Sequence, residues 1–533
     1  MPATRSSLIA QAQTVRNETA EGANTAERVG ALLEEHARVA MLISPLTADQ
    51  EYWIDNTSGN DETGTGTQIA PWASLARVFD ECGEHILHNV KVNIAGSATP
   101  YDSNTLFRTR VIEKNFWMKG SGFDQVVAPI AVTSHVGAVV TCAGAAWVAE
   151  AYTHLFVELI RANGTILGYA TILQNTSTTL TITGAKGEFL SGAATIRIVR
   201  PAVKFSRGAR TTSVEEAIQG SVFSHRNSYI MSGMCWENIE MVSIGADYNT
   251  YKFSGNHIFV GLLISGAAAN FGQTFRCTAS SNIWSGPGYR PGPGTFYSPV
   301  VSEPAILGWG LSMLDTATPA FAGYVALEGG FFRGSVAAGT LLVSDGANVR
   351  LEHGVRFRET YGDVAWANIT VVRNCTLEMS GTVVLGQTGG TEDHLFVEES
   401  NLVLWPTTQW TLKNSGQFIH NRHGFALITG GEAAHTPVVE NGGNRISVYF
   451  DGQVRLSAGL PATPNLFAWL GQTTCGSVPA DAHVRPAGSW NWGDWTSDVA
   501  ARDAINAAVD FAALKVVLAQ LSRHDGSKIG RSS

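Results

Sequence analysis

Nine acidic residues, all in a stretch of the chain where a short pattern recurs, are candidates for chemistry on sugars. They are Asp345, Glu352, Glu359, Asp363, Glu378, Glu392, Asp393, Glu398 and Glu399. Two carboxyl groups, one protonated and one ionised, can hydrolyse a glycosidic bond if they flank it. Asp345, Glu352, Glu378 and Glu399 are the candidates for such a pair, and the sequence selects no two of them.

A structural interpretation competes with catalysis at these acids. Asp345, Arg373 and Glu399 occupy the same turn position in successive copies of the pattern. Stacked on one another, they would form a ladder of alternating charge that reduces repulsion between neighbouring copies. We therefore favour a structural role, and glycan hydrolysis or elimination stays the alternative.

Tryptophans are the second set of residues that could meet a sugar, because an aromatic ring offers a flat apolar platform. The candidates are Trp405, Trp410, Trp490, Trp492 and Trp495. Packing is the favoured interpretation, since the cluster near the C-terminus lies where the last copy of the pattern has to be covered.

Metal and cofactor chemistry have little support. His420 and His423 lack a third ligand at usable spacing, and turn formation explains Asp55, Asn60 and Asp61 better than a calcium loop does. The chain contains no serine-hydrolase elbow, zinc-protease motif, P-loop or dinucleotide fingerprint. We expect neither a metal nor a cofactor.

The recurring pattern is strand, polar turn, strand, between Gly339 and Asp451. One apolar residue precedes each turn, at Val343, Val371, Val397, Ile419 and Val439, with separations of 28, 26, 22 and 20 residues. Such periods are typical of a solenoid, and the five residues are expected to stack as one interior ladder. A β-sandwich with coincidental hairpins is the alternative.

Paired apolar positions follow each turn and predict further interior ladders. The pairs are Val349 and Leu351, Leu377 and Met379, Leu402 and Leu404, Phe425 and Leu427, and Ile446 and Val448. The fold class predicted from this texture is all-β, a parallel β-helix. Helices are expected only near the chain ends and in a cap.

The segment from Cys142 to Arg200 has a different texture. It alternates apolar and polar residues at period two and contains Asn163-Gly164, a strong hairpin signal. We expect a small antiparallel β insertion that protrudes, with the solenoid resuming near Val203.

Apolar residues at heptad spacing, which we call seams, predict a helix near each end of the chain. In the N-terminal one, Val29, Leu33, Ala40 and Ile43 follow heptad spacing and are the expected trimerisation residues; an amphipathic helix packed on its own domain is the alternative. Leu75, Val78, Phe79, Cys82 and Ile86 predict a helix that caps the first coil. The C-terminal seam comprises Ile505, Val509, Ala512, Val516 and Ala519.

These signals divide the chain into six expected segments. They are a helical attachment segment (1–48), the solenoid start with its cap (49–141), the inserted sheet (142–200), the parallel β-helix (201–455), a Pro- and Trp-rich closing segment (456–495) and a C-terminal helix (496–533).

Composition excludes some classes of protein. The formal net charge of -9 does not suit a nucleic-acid binder. No apolar run is long enough to cross a bilayer, and no signal peptide is evident. The six cysteines form no C-x-x-C pair, so buried free thiols are expected rather than a disulfide framework or a zinc knuckle.

Two segments carry a resemblance to known proteins. TVRNETAEGANTAERVGALLEEH (14–36) resembles a segment of bacteriophage tail-fibre and tail-tip proteins. YWIDNTSGNDETGTGTQIAPWASLARVFD (52–80) resembles the opening coil and cap of phage tailspikes and other right-handed parallel β-helix proteins.

The resemblance implies a homotrimeric virion component, assembled in the host cytoplasm, attached to other tail or baseplate proteins through its N-terminal region and facing the host surface. Such a protein would bind surface polysaccharide or another receptor, and a tailspike could also depolymerise capsule or lipopolysaccharide. A bacterial polysaccharide lyase is a third interpretation, which the missing signal peptide disfavours.

Overall fold

The computed structural model describes most of the chain between residues 46 and 456. The described residues are 29–30, 46, 48–107, 110–183, 192–206, 217–219, 233–243, 249–266, 273–277, 282–285, 305–306, 311–315, 324–358, 367–387, 390–405, 409–413, 419–428, 438–439, 446–449, 453–456 and 483–484.

Strands dominate these residues. The first part of the chain contains β1 (Gln50–Ile54), helix α1 (Leu75–Cys82), β2 (His85–Ile86), β3 (Val90–Ile94), β4 (Tyr101–Asp102), a short 3₁₀ helix (Asn104–Phe107), β5 (Val111–Ile112) and β6 (Phe116–Gly120). The next part contains β7 (Phe123–Ala131), β8 (Ser134–Val136), β9 (Val139–Thr141), β10 (Phe156–Ile160), β11 (Ile166–Asn175), β12 (Thr179–Ile182) and β13 (Thr195–Pro201).

The remaining strands run to the end of the described chain. They are β14 (Val203–Ser206), β15 (Ala217–Gln219), β16 (Met234–Ser243), β17 (Asn249–Ser254), β18 (Asn256–Gly266), β19 (Gln273–Cys277), β20 (Asn282–Ser285), β21 (Ala305–Ile306), β22 (Leu311–Asp315), β23 (Tyr324–Glu328), β24 (Phe331–Ala338), β25 (Thr340–Ser344), β26 (Asn348–Phe357), β27 (Ala367–Val372), β28 (Thr376–Met379), β29 (Thr382–Leu385), β30 (Asp393–Glu398), β31 (Asn401–Leu404), β32 (Gln409–Leu412), β33 (Ile419–Arg422), β34 (Phe425–Ile428), β35 (Val438–Val439), β36 (Ile446–Tyr449), β37 (Gln453–Leu456) and β38 (His483–Val484).

Most strands pair in parallel with strands one coil length away, in three rows that we call the parallel stack. The first row is β1, β3, β6, β16, β18, β20, β24, β26, β28, β31, β34 and β37. The second row is β4, β14, β16, β18, β22, β24, β26, β29, β32 and β35. The third row is β15, β17, β19, β23, β25, β27, β30, β33 and β36.

From β16 onward the chain visits the first, second and third rows in turn, and the long strands β16, β18, β24 and β26 pass through both of the first two rows. Residues pointing between the rows form one continuous apolar core that reaches from Tyr52 to Ala426. These parallel rows are consistent with a β-helix-like solenoid and agree with the all-β, parallel character predicted from the sequence.

The predicted ladder is confirmed for its first three members. Val343 pairs with Val371 and Val371 with Val397, all fully buried in the third row. The pairs after the turns, Val349 with Leu377 and Leu402, and Leu351 with Met379 and Leu404, also stack inward in the first row.

The prediction is wrong for the last two members of the ladder. Ile419 pairs with Leu395, two residues before Val397, and Asn421 takes the position opposite Val397. Val439 lies in the second row, opposite Leu412. The turn explains the slip, because the buried Asn421 amide donates to the Gly424 carbonyl oxygen at 3.0 Å and accepts from the Gly424 N–H at 3.1 Å.

The later paired positions are also wrong. Ala426, which lies between Phe425 and Leu427, pairs with Leu402 and is buried, so those two side chains belong to the other face of the strand. Ile446 and Val448 lie in the third row, opposite Ile419 and Asn421. The error follows from taking Ile419 as the interior residue before the turn: Ala426 follows Asn421 by five residues, just as Leu402 follows Val397.

The cap helix is confirmed, with a correction at its end. Ser74 caps α1 by accepting the Arg77 N–H at 3.2 Å, and Gly83 ends it. Leu75, Val78, Phe79 and Cys82 face the core, where Phe79 stacks on Phe116 of β6. Ile86 is buried as predicted, but in strand β2 rather than in the helix.

Strands β7–β13 form an antiparallel sheet, which we call the inserted sheet, in the order β7-β13-β10-β11-β12-β9-β8. The hairpin at Asn163-Gly164 joins β10 to β11, and Gly164 has a φ of +83°. The sheet begins at Phe123, earlier than the expected boundary at residue 142. The inserted sheet has an apolar core of its own, which also includes Leu263 of the parallel stack, so the unit packs against the stack. That it protrudes as a separate unit stays a prediction.

The remaining expectations are only partly within the described residues. Val29 and Gly30 are helical, whereas Leu33, Ala40, Ile43 and the C-terminal seam lie outside the described residues. Cys82, Cys142, Cys235 and Cys375 are buried free thiols. In the described part of the chain no helix is long and apolar enough to cross a membrane.

Candidate functional site

A group of polar and aromatic side chains lies on the outward face of the first row, and we call it the Trp405 surface. It consists of Arg333 on β24, Arg350 and Glu352 on β26, Glu378 on β28, and Trp405 just after β31. In the strand register, Arg333 lies opposite Arg350, and Arg350 lies opposite Glu378. Because residues between two inward positions of a strand point outward, register alone places these side chains together.

Ion pairs connect the members of the Trp405 surface. Glu352 accepts from Arg333 Nε at 2.9 Å and from its Nη2 at 3.3 Å. Arg350 Nε lies 3.3 Å from Glu352 Oε2 and 4.0 Å from Glu378 Oε2. Two guanidinium groups therefore balance two carboxylates, with both arginines and Glu378 partly exposed and Glu352 buried.

Trp405 is fixed at both ends. Its indole Nε1 donates to Glu378 Oε2 at 3.0 Å, and its backbone N–H donates to the Met379 carbonyl oxygen at 3.0 Å. The side chain keeps 37% of its surface exposed. A tryptophan held in this way on a strand row offers a rigid platform, since its orientation does not have to be fixed when a ligand arrives.

Glu352 and Glu378 are two of the four candidate catalytic acids, and the structure brings them together through Arg350. Their Oε2 atoms are no farther apart than the sum of their distances to Arg350 Nε. That upper bound lies within the range of glycosidase pairs, which extends to about 9.5 Å. A general acid is normally kept protonated by an apolar pocket, however, and the Trp405 surface provides guanidinium groups instead.

The other two candidates, Asp345 and Glu399, lie elsewhere, in turns that follow the third row. Asp345, Arg373 and Glu399 all have left-handed backbone geometry, with φ of +59°, +63° and +49°. Arg373 Nε is 3.1 Å from Asp345 Oδ1, and about half or more of each side chain is exposed. The structure therefore supports the predicted charge ladder at its first step, and exposed pairs of this kind contribute little stability.

The remaining acids are scattered. Glu392 accepts the Thr391 N–H at 3.0 Å, and Glu398 ends strand β30 opposite Arg422. Asp393 lies 3.0 Å from Nδ1 of His420 on the neighbouring strand. Glu359 and Asp363 lie outside the described residues.

The histidines and the N-terminal acids have structural positions. His423 lies in the turn after β33 with a φ of +50°, apart from the Asp393–His420 pair. Asp55 accepts from the Ser58 hydroxyl at 2.6 Å, and this hydrogen bond holds the pKa of Asp55 below its usual value. Asp61 accepts from Ser74 Oγ and from two backbone N–H groups at the start of α1.

Turn formation is thus the confirmed interpretation of Asp55 and Asp61. Among the described residues, no group of three or more potential metal ligands occurs. Of the other candidate aromatics, Trp410 lies in β32 with a side chain outside the described part, and Trp490, Trp492 and Trp495 lie outside it altogether.

Arg333 and Arg350 were missed by the analysis of the sequence. The signal was present in the alignment of the repeats, because Arg350 and Glu378 each stand between the two inward residues that follow a turn. An outward position shared by an arginine and a glutamate in successive coils indicates an ion pair across the strands.

The chain matches no family model, and no curated protein matches it. One solved structure that it resembles is the crystal structure of the tailspike protein gp49 from Pseudomonas phage LKA1. The two chains are 9% identical, and the match covers 70% of this chain and 72% of that one with a TM-score of 0.20. A TM-score this low does not establish a shared fold.

Proposed function

We propose that this protein is a structural component of a bacteriophage tail, a fibre or tailspike, and that it contacts the bacterial surface through the Trp405 surface by binding glycan. The assignment to a tail rests on the resemblance of residues 14–36 and 52–80 to tail proteins and on the parallel stack that follows them. In this proposal the coils close into a right-handed β-helix, and three chains associate side by side.

The observation that carries the binding role is the fixed, partly exposed indole of Trp405 beside two arginines and two glutamates. The apolar face of a sugar ring packs on an aromatic ring, and its hydroxyl groups pair with planar polar side chains. The two arginines and two glutamates lie on adjacent strands, and the backbone N–H of Trp405, directly after β31, is hydrogen-bonded to Met379 of β28, so the sheet sets the spacing of the groups.

Binding is tested with the full chain and purified capsule or lipopolysaccharide from a panel of candidate hosts. Trp405→Ala should weaken binding to the recognised polysaccharide by roughly tenfold or more, the effect of losing a central anchor. Arg373→Ala is the matched control, because it removes an exposed, ion-paired side chain from a different face. Equal binding by Trp405→Ala and the unaltered protein would exclude this surface.

Glycan depolymerisation is the second candidate, and the proximity of Glu352 and Glu378 favours it. The protein is incubated with each bound polysaccharide, and released oligosaccharides are measured by size-exclusion chromatography. If cleavage occurs at this site, Glu352→Gln and Glu378→Gln should each reduce it by at least about a hundredfold. Cleavage that survives both substitutions would place the catalytic pair elsewhere, and no release from any bound glycan leaves binding as the function.

A further inference from the structure

One outward-facing ladder of the second row is covered instead of exposed. Its members, in direct register, are Lys204, Glu240, Leu263, Ser312, Ala337, Arg356, Val384 and Thr411. Glu240, Leu263, Arg356 and Val384 are fully buried. Outward residues of a solenoid normally meet solvent, so another part of the chain must lie along this face.

The inserted sheet covers the ladder at its N-terminal end through ion pairs. Arg200 of β13 approaches the carboxylate of Glu240 with two nitrogens, Nε lying 2.9 Å from Oε2. Lys204 Nζ lies 2.6 Å from Asp124 of β7. The Ser265 hydroxyl also donates to Glu240, so the buried carboxylate has one partner in the inserted sheet, Arg200, and one in the parallel stack, Ser265.

A second charged contact lies farther along the same ladder. Glu150, in the loop before β10, is 2.7 Å from Lys413 Nζ and 3.5 Å from Arg356 Nη2. Thr153 Oγ1 donates to it at 3.0 Å. Arg356 is also bound by the stack itself, where its Nη1 donates to the Gly386 carbonyl oxygen at 2.6 Å.

Close apolar and backbone contacts fill the space between the two ends. Leu263 belongs to the core of the inserted sheet, and β11 takes on β21 as an additional parallel strand. Gly354 of β26 has a φ of +120° and lies against the inserted sheet so closely that a Cβ would be 3.0 Å from Thr183 Cγ2 and 3.3 Å from Leu173 Cδ1.

We propose that the inserted sheet is a brace that lies along the second row and holds its strands from β14 to β32 in place. Lys204 and Arg356 are five strand-to-strand steps apart, about 24 Å at ~4.8 Å per step. The brace crosses that distance and is fixed at both ends. Without it, Arg356 and Lys413 would be left in the stack without their carboxylate, an unfavourable state for buried cations.

The proposal is tested by hydrogen exchange of the full chain followed by mass spectrometry. Glu150→Gln should raise exchange at least about tenfold in peptides of β26, β29 and β32 as well as in β10–β13, because the seam and the stack open together. Arg373→Gln, which removes a cation from an exposed pair, should change none of these peptides. Faster exchange in the inserted sheet alone would show an independent appendage and overturn the proposal.

A pair of glycine substitutions tests the seam without changing charge. Gly354→Ala and Gly346→Ala both place a side chain at positive φ, but a Cβ at Gly346 meets nothing within 4 Å. Gly354→Ala alone should raise exchange in β11 and β29. If Gly354→Ala does not fold, Thr183→Ser takes its place, because it removes the Cγ2 that lies against Gly354 and keeps the hydroxyl that accepts the Thr171 N–H. Faster exchange in β29 as well as in β11 supports the brace, and faster exchange in β11 alone contradicts it.

Discussion

Trp405 donates its indole N–H to Glu378, although the two residues are 27 positions apart in the chain. The contact exists because β28 and β31 are neighbours in register, with Met379 opposite Leu404. The carboxylate therefore sets the orientation of the platform, while Arg350 lies close to the same oxygen. In the proposed binding role, Glu378 acts through Trp405 as a positioning residue.

Glu378→Ala should weaken glycan binding by about fivefold, the effect of losing one hydrogen bond worth roughly 1 kcal/mol. Glu378→Gln keeps an oxygen that can accept from the indole and should bind nearly as well as the unaltered protein. Calorimetric titration with the recognised polysaccharide measures both. A loss of affinity as large for the glutamine variant as for the alanine variant would mean that the charge, and not the orientation of Trp405, matters.

Asn421→Val should destabilise the protein by about 1–3 kcal/mol, although valine occupies the equivalent position in the three preceding coils. The reason is that the Gly424 N–H and carbonyl group would lose the partners that the asparagine amide provides. Chemical denaturation followed by circular dichroism measures the change. An unchanged or higher denaturation midpoint would show that the hydrogen bonds of Asn421 to Gly424 do not stabilise the protein.

The stability of the contact between the inserted sheet and the second row should depend on pH through Glu150. Burial opposes its ionisation, but Arg356 and Lys413 outweigh that effect and hold the pKa of Glu150 below the usual 4.5. A carboxylate whose pKa is lowered by folding stabilises the protein above its unfolded pKa, and the contribution disappears as pH falls through the folded value. The difference in thermal midpoint between the unaltered protein and Glu150→Gln should be largest near about pH 7 and should shrink below about pH 4.5.

A midpoint difference that stays constant over that pH range would contradict this assignment. Glu150→Asp is a useful companion variant, because it keeps the charge and shortens the side chain. At neutral pH the thermal midpoint of Glu150→Asp should be lower than that of the unaltered protein. It should still decrease as the pH falls, whereas Glu150→Gln lacks this contribution to the pH dependence.

The N-terminal helix should hold three chains together. Val29 is helical, and 43% of it is exposed in the single chain, as expected of a seam residue that needs a partner. Val29→Asp combined with Leu33→Asp should disrupt the N-terminal bundle and weaken the trimer, while far-ultraviolet circular dichroism stays dominated by the same strands. Light scattering measures the mass, and a stable monomer of the unaltered protein at micromolar concentration would contradict the trimer.

Local rules explain which parts of the fold the sequence could predict. Val343, Val371 and Val397, with the inward pairs that follow them, obey the period of two along a strand and the turn chemistry at left-handed residues such as Asp345 and Arg373. Both signals lie within about ten residues of sequence. The same holds for the cap of α1 and the hairpin at Gly164.

The prediction went wrong where a polar residue took an interior position. Asn421 has the appearance of a turn residue in sequence, so the apolar pattern was assigned to Ile419, Phe425 and Leu427 instead. The Trp405 surface was predicted in part, through Trp405, Glu352 and Glu378. The contact of Glu150 with Lys413 joins residues 263 positions apart and leaves no trace in either local pattern.

The covered ladder also limits how the gene can change in length. Adding or removing one coil between β18 and β26 would move Arg356 by about 4.8 Å relative to Arg200 and Glu240, while the inserted sheet kept its own length. Glu150 would then lie opposite a different strand of the second row from the one that carries Arg356. A brace of fixed length would therefore fix the number of coils between Lys204 and Lys413, and whole coils could be gained or lost only outside that span.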